Sequence, residues 1–141
     1  MLAPGVVVCE RRGRYAARLR RELAVRGMHV RVSETRSSKD CLTALCGRRY
    51  SAVAVEMMPN PIAALDLIEK VRAFDSSLLV TAVLDRASQW LEPHAREFGA
   101  AYCAIDPFEM DLLVELILRH MQRQLRELGP APNHRLASQT A

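Results

Sequence analysis

Lysine is nearly absent from this sequence, aromatics make up only 5% of it, and no apolar run is long. Each shortage excludes something. The longest apolar stretches, such as Ala52–Val55 and Leu78–Leu84, fall far short of the roughly 20 residues a membrane span needs. Aromatics are few and no aromatic platform is interleaved with the arginines, which speaks against single-stranded nucleic acid as a ligand. The four cysteines, Cys9, Cys41, Cys46 and Cys103, contain no CxxC pair and sit mostly inside apolar runs, which reads as free core thiols in a reducing compartment. His29, His94, His120 and His134 match no zinc spacing. No glycine-rich phosphate loop follows the first apolar run, which ends in Glu10-Arg11-Arg12-Gly13. No basic and apolar leader opens the chain. The expectation is a cytoplasmic, non-enzymatic protein with no cofactor, no metal and no membrane contact.

What is present is enough for one core. The 141 residues are half hydrophobic and about a quarter charged (26%), which suits a single domain over 1–128. The tail at 129–141 lacks periodicity and is expected to be disordered. Charge is unevenly spread. Residues 11–36 carry nine arginines against Glu22 and Glu34, so that stretch is +7 within a chain of net +4. Such a patch suits phosphates or an acidic protein partner, or is simply a solvated helix face.

Strands and helices alternate along the chain. Gly5–Glu10, Ser51–Glu56 and Leu78–Leu84 read as strands of interior character, His29–Ser33 as a weaker, alternating one and Ala101–Ile105 as a short fifth. Helices are expected from Gly13 to Arg26, from Ser37 or Ser38 to Cys46, and over Ile62–Phe74, Ala87–Phe98 and Glu109–Leu128. Pro93 interrupts the fourth. Five βα units in a row require right-handed crossovers, hence an α/β fold with a parallel sheet covered on both faces. In such sheets chemistry gathers at the carboxyl ends of the strands.

Arg26-Gly27-Met28-His29-Val30, Tyr50–Met58 (YSAVAVEMM) and Phe98-Gly99-Ala100 followed by Asp106-Pro107-Phe108, in that order, resemble the receiver domains of bacterial response regulators over residues 5–125. The resemblance implies a doubly wound, five-stranded sheet of order 2-1-3-4-5. It also implies a site: two acids after strand one that hold Mg²⁺, a phosphoacceptor Asp ending strand three, a hydroxyl after strand four and a Lys after strand five. Here Glu10 takes the first acidic position and Arg11 the second. Glu56 stands at the phosphoacceptor position, and Asp106 reverses the charge of the Lys. The hydroxyl position falls on Leu84 without a gap, or on Thr81 with a shift. A guanidinium in the metal site and a carboxylate in the lysine site oppose phosphoryl transfer. An internal pair of Arg11 with Glu56, Glu10 or Asp106 is the expected substitute.

The final helix extends past the expected domain end. Leu112, Leu113, Leu116 and Ile117 would face the sheet, and Val114, Leu118, Met121, Leu125 and Leu128 form a second, heptad-like stripe. That stripe is expected to be a partner surface, most simply in a homodimer. The functional expectation is a stand-alone pseudo-receiver that signals or scaffolds through protein contacts. One alternative is nucleic-acid binding through Arg14, Arg18 and Arg21, which share a helix face. The other is an atypical phosphorylatable regulator.

Overall fold

The computed structural model describes residues 5–107 and 109–128; the expected disorder at 129–141 lies outside them. Five strands are described: β1 (Gly5–Cys9), β2 (Arg31–Thr35), β3 (Ala52–Glu56), β4 (Leu79–Leu84) and β5 (Tyr102–Ile105). They pair in parallel in the order 2-1-3-4-5. Helices α1 (Arg14–Val25), α2 (Ser38–Gly47), α3 (Pro61–Phe74), α4 (Glu92–Phe98) and α5 (Met110–Leu128) cover the sheet.

Alternation within the strands builds two cores. Val7, Val53, Val55, Val80, Ala82 and Leu84 pack with Cys41 and Leu45 of α2, Ile68 and Val71 of α3, and Ala95 of α4. Val6, Val8, Ala52, Ala54, Val83 and Ala104 pack on the other face with Leu19 and Leu23 of α1 and with α5. Parallel strands buried on both faces read as continuous apolar runs because neither face meets water.

Local chemistry sets the element ends. The Ser37 side chain accepts from the Asp40 N–H and caps α2. Asn60 accepts from the Ala63 N–H, and Pro61 fills the first position of α3, where a missing N–H costs nothing. The second strand begins two residues later than expected. His29 lies outside it, because Gly27, at φ +70°, closes α1 and the chain needs Met28 to Val30 to reach the sheet. The expected fourth helix is divided in two. Asp85 and Ser88 cap each other to open a 3₁₀ turn over Arg86–Leu91, and α4 then starts at Glu92 with Pro93 in its first turn.

The two expected stripes of α5 are one. Met110, Leu113, Val114, Ile117 and Met121 are all buried in the α1/α5 core, and Leu118 packs against it. Positions 110, 113, 114, 117 and 121 trace the i, i+3, i+4, i+7 arc of a single helix face. Leu112, expected inward, is 54% exposed, whereas Leu113 beside it is fully buried. Of the supposed partner surface only Leu125 is exposed; the Leu128 side chain lies outside the described residues. Val114 and Met121 therefore belong to the domain's own core, whereas Leu118 is half-buried at its margin.

Candidate functional site

The carboxyl ends of β1, β3 and β4 open into a cleft of about 210 Å³, bordered by Arg11, Arg12, Arg14, Tyr15, Glu56, Met58, Pro59, Val83 and Asp85. A neighbouring groove shares Arg11, Glu56, Met58 and Pro59 and reaches Cys9, Glu10 and Arg36.

Glu10 follows β1 directly and is buried. Its Oε1 accepts the Tyr15 N–H at 2.9 Å and its Oε2 the Ala16 N–H at 2.8 Å. These are donors of the first turn of α1, which no intrahelical partner can satisfy. The carboxylate also sits at the positive end of the helix. Gly13 makes the reversal feasible, with φ +75°, a region costly to any residue with a Cβ. A Cβ there would also stand 2.6 Å from Glu34 Oε1. Glu10 is thus a helix cap supplied from the strand end.

Arg11 does not form the expected side-chain pair. Its backbone N–H donates to Glu56 Oε1 at 3.0 Å, while its side chain is exposed. Among the described residues its guanidinium makes no ion pair with Glu56, Glu10 or Asp106. The turn out of β1 points the amide, not the side chain, toward β3.

Asp106 finds its cations elsewhere. Arg14 Nη2 lies 3.2 Å from Oδ2 and Arg18 Nη1 3.3 Å from Oδ1. Arg18 also donates to the Pro107 carbonyl at 3.2 Å. These arginines are one turn apart, so they present one fork from α1 to the loop after β5. Arg14 further donates to the Tyr15 hydroxyl at 2.9 Å and lies over its ring. Burial is the main cause that pushes the Tyr15 pKa up, opposed by that bond from Arg14.

Neither hydroxyl candidate serves the cleft. Thr81 is fully buried in mid-strand and donates to the Val53 carbonyl at 3.0 Å. Leu84 points into the opposite core. The residue in register with Glu56 is Val83, which lines the cleft, with Asp85 just beyond. Period-two counting in β4 from Thr81 would have found both. The site therefore brings together Glu56, Arg11 and Arg14, with Glu10 and Asp106 anchored at its edges.

A response regulator from Thermotoga maritima superposes with a TM-score of 0.72 at 20% identity, covering 86% of this chain and 99% of that one. The fold is that of a response-regulator receiver. Two orphan response regulators share it at 24% identity: one from H. pylori (TM-score 0.67, 83% of this chain and 95% of that one) and one described as atypical, with a phosphorylation-independent regulatory mechanism (0.66, 84% and 95%). No family model matches the sequence, and neither does any curated protein.

Receiver chemistry relies on Mg²⁺, and the donor set here does not fit that ion. A hexacoordinate Mg²⁺ draws on carboxylate oxygens with free lone pairs near octahedral positions. Both oxygens of Glu10 are engaged by backbone N–H groups of α1, and the residue that follows it, Arg11, offers no carboxylate. Among the described residues no group of three or more His, Cys, Asp or Glu side chains could hold a metal. No described helix is long and apolar enough to cross a membrane.

Proposed function

We propose that this chain is a signalling module of receiver fold that accepts no phosphoryl group and acts through contacts with protein partners. The observation that carries the reading is the Glu10 carboxylate, whose two oxygens close the first turn of α1 instead of facing the cleft. Without that acid, and with Arg11 beside it, no cation can bridge Glu56 to an incoming phosphate. The position that should stabilise the phosphoryl oxygens holds Asp106, locked by Arg14 and Arg18. Its negative charge repels the group it would need to attract. The described mechanism of one structural neighbour, regulation without phosphorylation, is in keeping with this reading.

The test is incubation with a small acyl phosphate and Mg²⁺, followed by intact mass. The expected outcome is an unchanged mass. A stoichiometric gain of one phosphate that disappears in Glu56→Gln would overturn the proposal.

A further inference from the structure

A second concavity lies at the amino ends of the strands, away from the cleft. Arg48, Arg49 and Tyr50 lead into β3, and Phe74 and Asp75 begin the turn from α3 into β4. These residues border a pocket of about 320 Å³, within the roughly 300–1,000 Å³ that small-molecule sites occupy.

Its base is fixed by the fold. Tyr50 is buried, and its hydroxyl hydrogen-bonds Ser33 Oγ at 2.9 Å. Arg31 lies 4.8 Å from the Tyr50 ring centroid and donates to the Arg49 carbonyl at 2.8 Å. Asp75 Oδ1 accepts the Ser77 N–H at 2.9 Å and the Ser77 hydroxyl at 2.6 Å. Gln124 of α5 donates to the Ser77 carbonyl at 3.2 Å.

The rim is different. Arg14, Arg18, Arg20, Arg26 and Arg36 are all held by carboxylates. The Arg48 and Arg49 guanidiniums are exposed, and among the described residues they have no hydrogen bond or ion pair. The Phe74 ring borders the same pocket with 51% of its surface exposed. The carboxylate among the described lining residues is Asp75, which Ser77 already engages.

We propose that this pocket binds a nucleoside 5′-monophosphate, with the phosphate held by Arg48 and Arg49 and the base stacked on Phe74. A guanidinium is a planar fork of N–H donors that matches phosphate oxygens, and it stays charged at physiological pH. Two of them offset the phosphate dianion. Any base offers a π-face to an aromatic ring. Asp75 Oδ2, to which no described residue donates, can accept an N–H of the base edge. A bare phosphate would leave the ring and most of the volume unused, so the ring decides the class. The pocket lies at the opposite end of the sheet from Glu56, so the proposal stands apart from whether the cleft accepts phosphate.

The test is titration calorimetry on the full chain with GMP, ribose 5-phosphate, guanosine and inorganic phosphate. GMP should bind saturably, and the other three should bind about tenfold more weakly or worse, since stacking and charge each contribute. Arg48→Ser/Arg49→Ser should abolish GMP binding. Phe74→Ser should reduce GMP to the level of ribose 5-phosphate and leave ribose 5-phosphate unchanged. The comparison of the four compounds on wild-type protein decides even if a variant does not fold. No GMP binding at millimolar concentration, equal affinities for GMP and inorganic phosphate, or GMP binding unaltered in the folded variants would overturn the proposal.

Discussion

Glu10 and Arg11 are adjacent, yet their side chains have opposite fates. The carboxylate of Glu10 is buried and holds two backbone donors, whereas the guanidinium of Arg11 extends into water and only its amide reaches Glu56. Hydrogen bonds to a charged acceptor contribute about 1.5–3 kcal/mol, and removing the acceptor strands both donors. Glu10→Ala should therefore lower stability by about 2–3 kcal/mol in denaturant melts. Arg11→Ala keeps the backbone N–H and should stay within about 0.5 kcal/mol of wild type. Equal losses in the two variants would contradict this geometry. The sequence shows which letters occupy the site, and on that basis Glu10 and Glu56 were legible as its acids. It does not show whether a residue contributes its side chain or its amide, because one φ/ψ pair at the strand exit decides that.

At the level of elements, α1 is tied to the loop after β5 by charge. Arg14 and Arg18 meet an Asp106 whose side chain is only 12% exposed. Removing it in Asp106→Ala should cost about 1–2 kcal/mol. Asp106→Lys should be worse than alanine, since an ammonium would then crowd two guanidiniums. Adding Arg18→Glu to Asp106→Lys should recover part of the loss, and thermal melts of the four proteins would read it. Failure of the double variant to recover anything would remove the pairing as a stabilising contact. Helix α5 supplies a second case. Met121 is buried between sheet and α1, so Met121→Asp should unfold the domain or cost about 3 kcal/mol or more, not merely separate subunits. The sequence suggested two stripes on α5 because each reads as a plausible apolar spacing. Only the crossing of the helix over the sheet shows that 113 and 114 share one inward arc.

For the molecule as a whole, the architecture was legible because parallel strands must be apolar throughout and crossovers must be right-handed. Those two constraints survive a two-residue error in β2 and a divided fourth helix. The arginine-rich segment was less legible, since charge in a sequence does not reveal its counter-charge. Arg20 and Arg36 meet Glu34, and Arg26 meets Glu22 and, on α5, Glu115. Arg14 and Arg18 meet Asp106. Five of these arginines thus share four carboxylates of the fold, and among the described residues Arg11, Arg12 and Arg21 have no ion pair. Arginines held in ion pairs are less able to release counterions from a polyanion, so the salt dependence should be shallower than nine arginines suggest. Random duplex DNA should therefore not retain the protein at about 150 mM salt. Retention there, lost with Arg14, Arg18 and Arg21 together changed to Ser, would restore the nucleic-acid reading.

The contact between Glu10 and α1 has a consequence in time as well as in energy. First-turn amides of a helix ordinarily face water and trade their protons with solvent quickly, because nothing in the helix accepts them. Those of Tyr15 and Ala16 are held by a buried side chain at the end of a central strand. Their deuterium uptake should follow the slow clock of the sheet, while the amide of Arg14, one residue earlier, keeps the fast clock of a helix end.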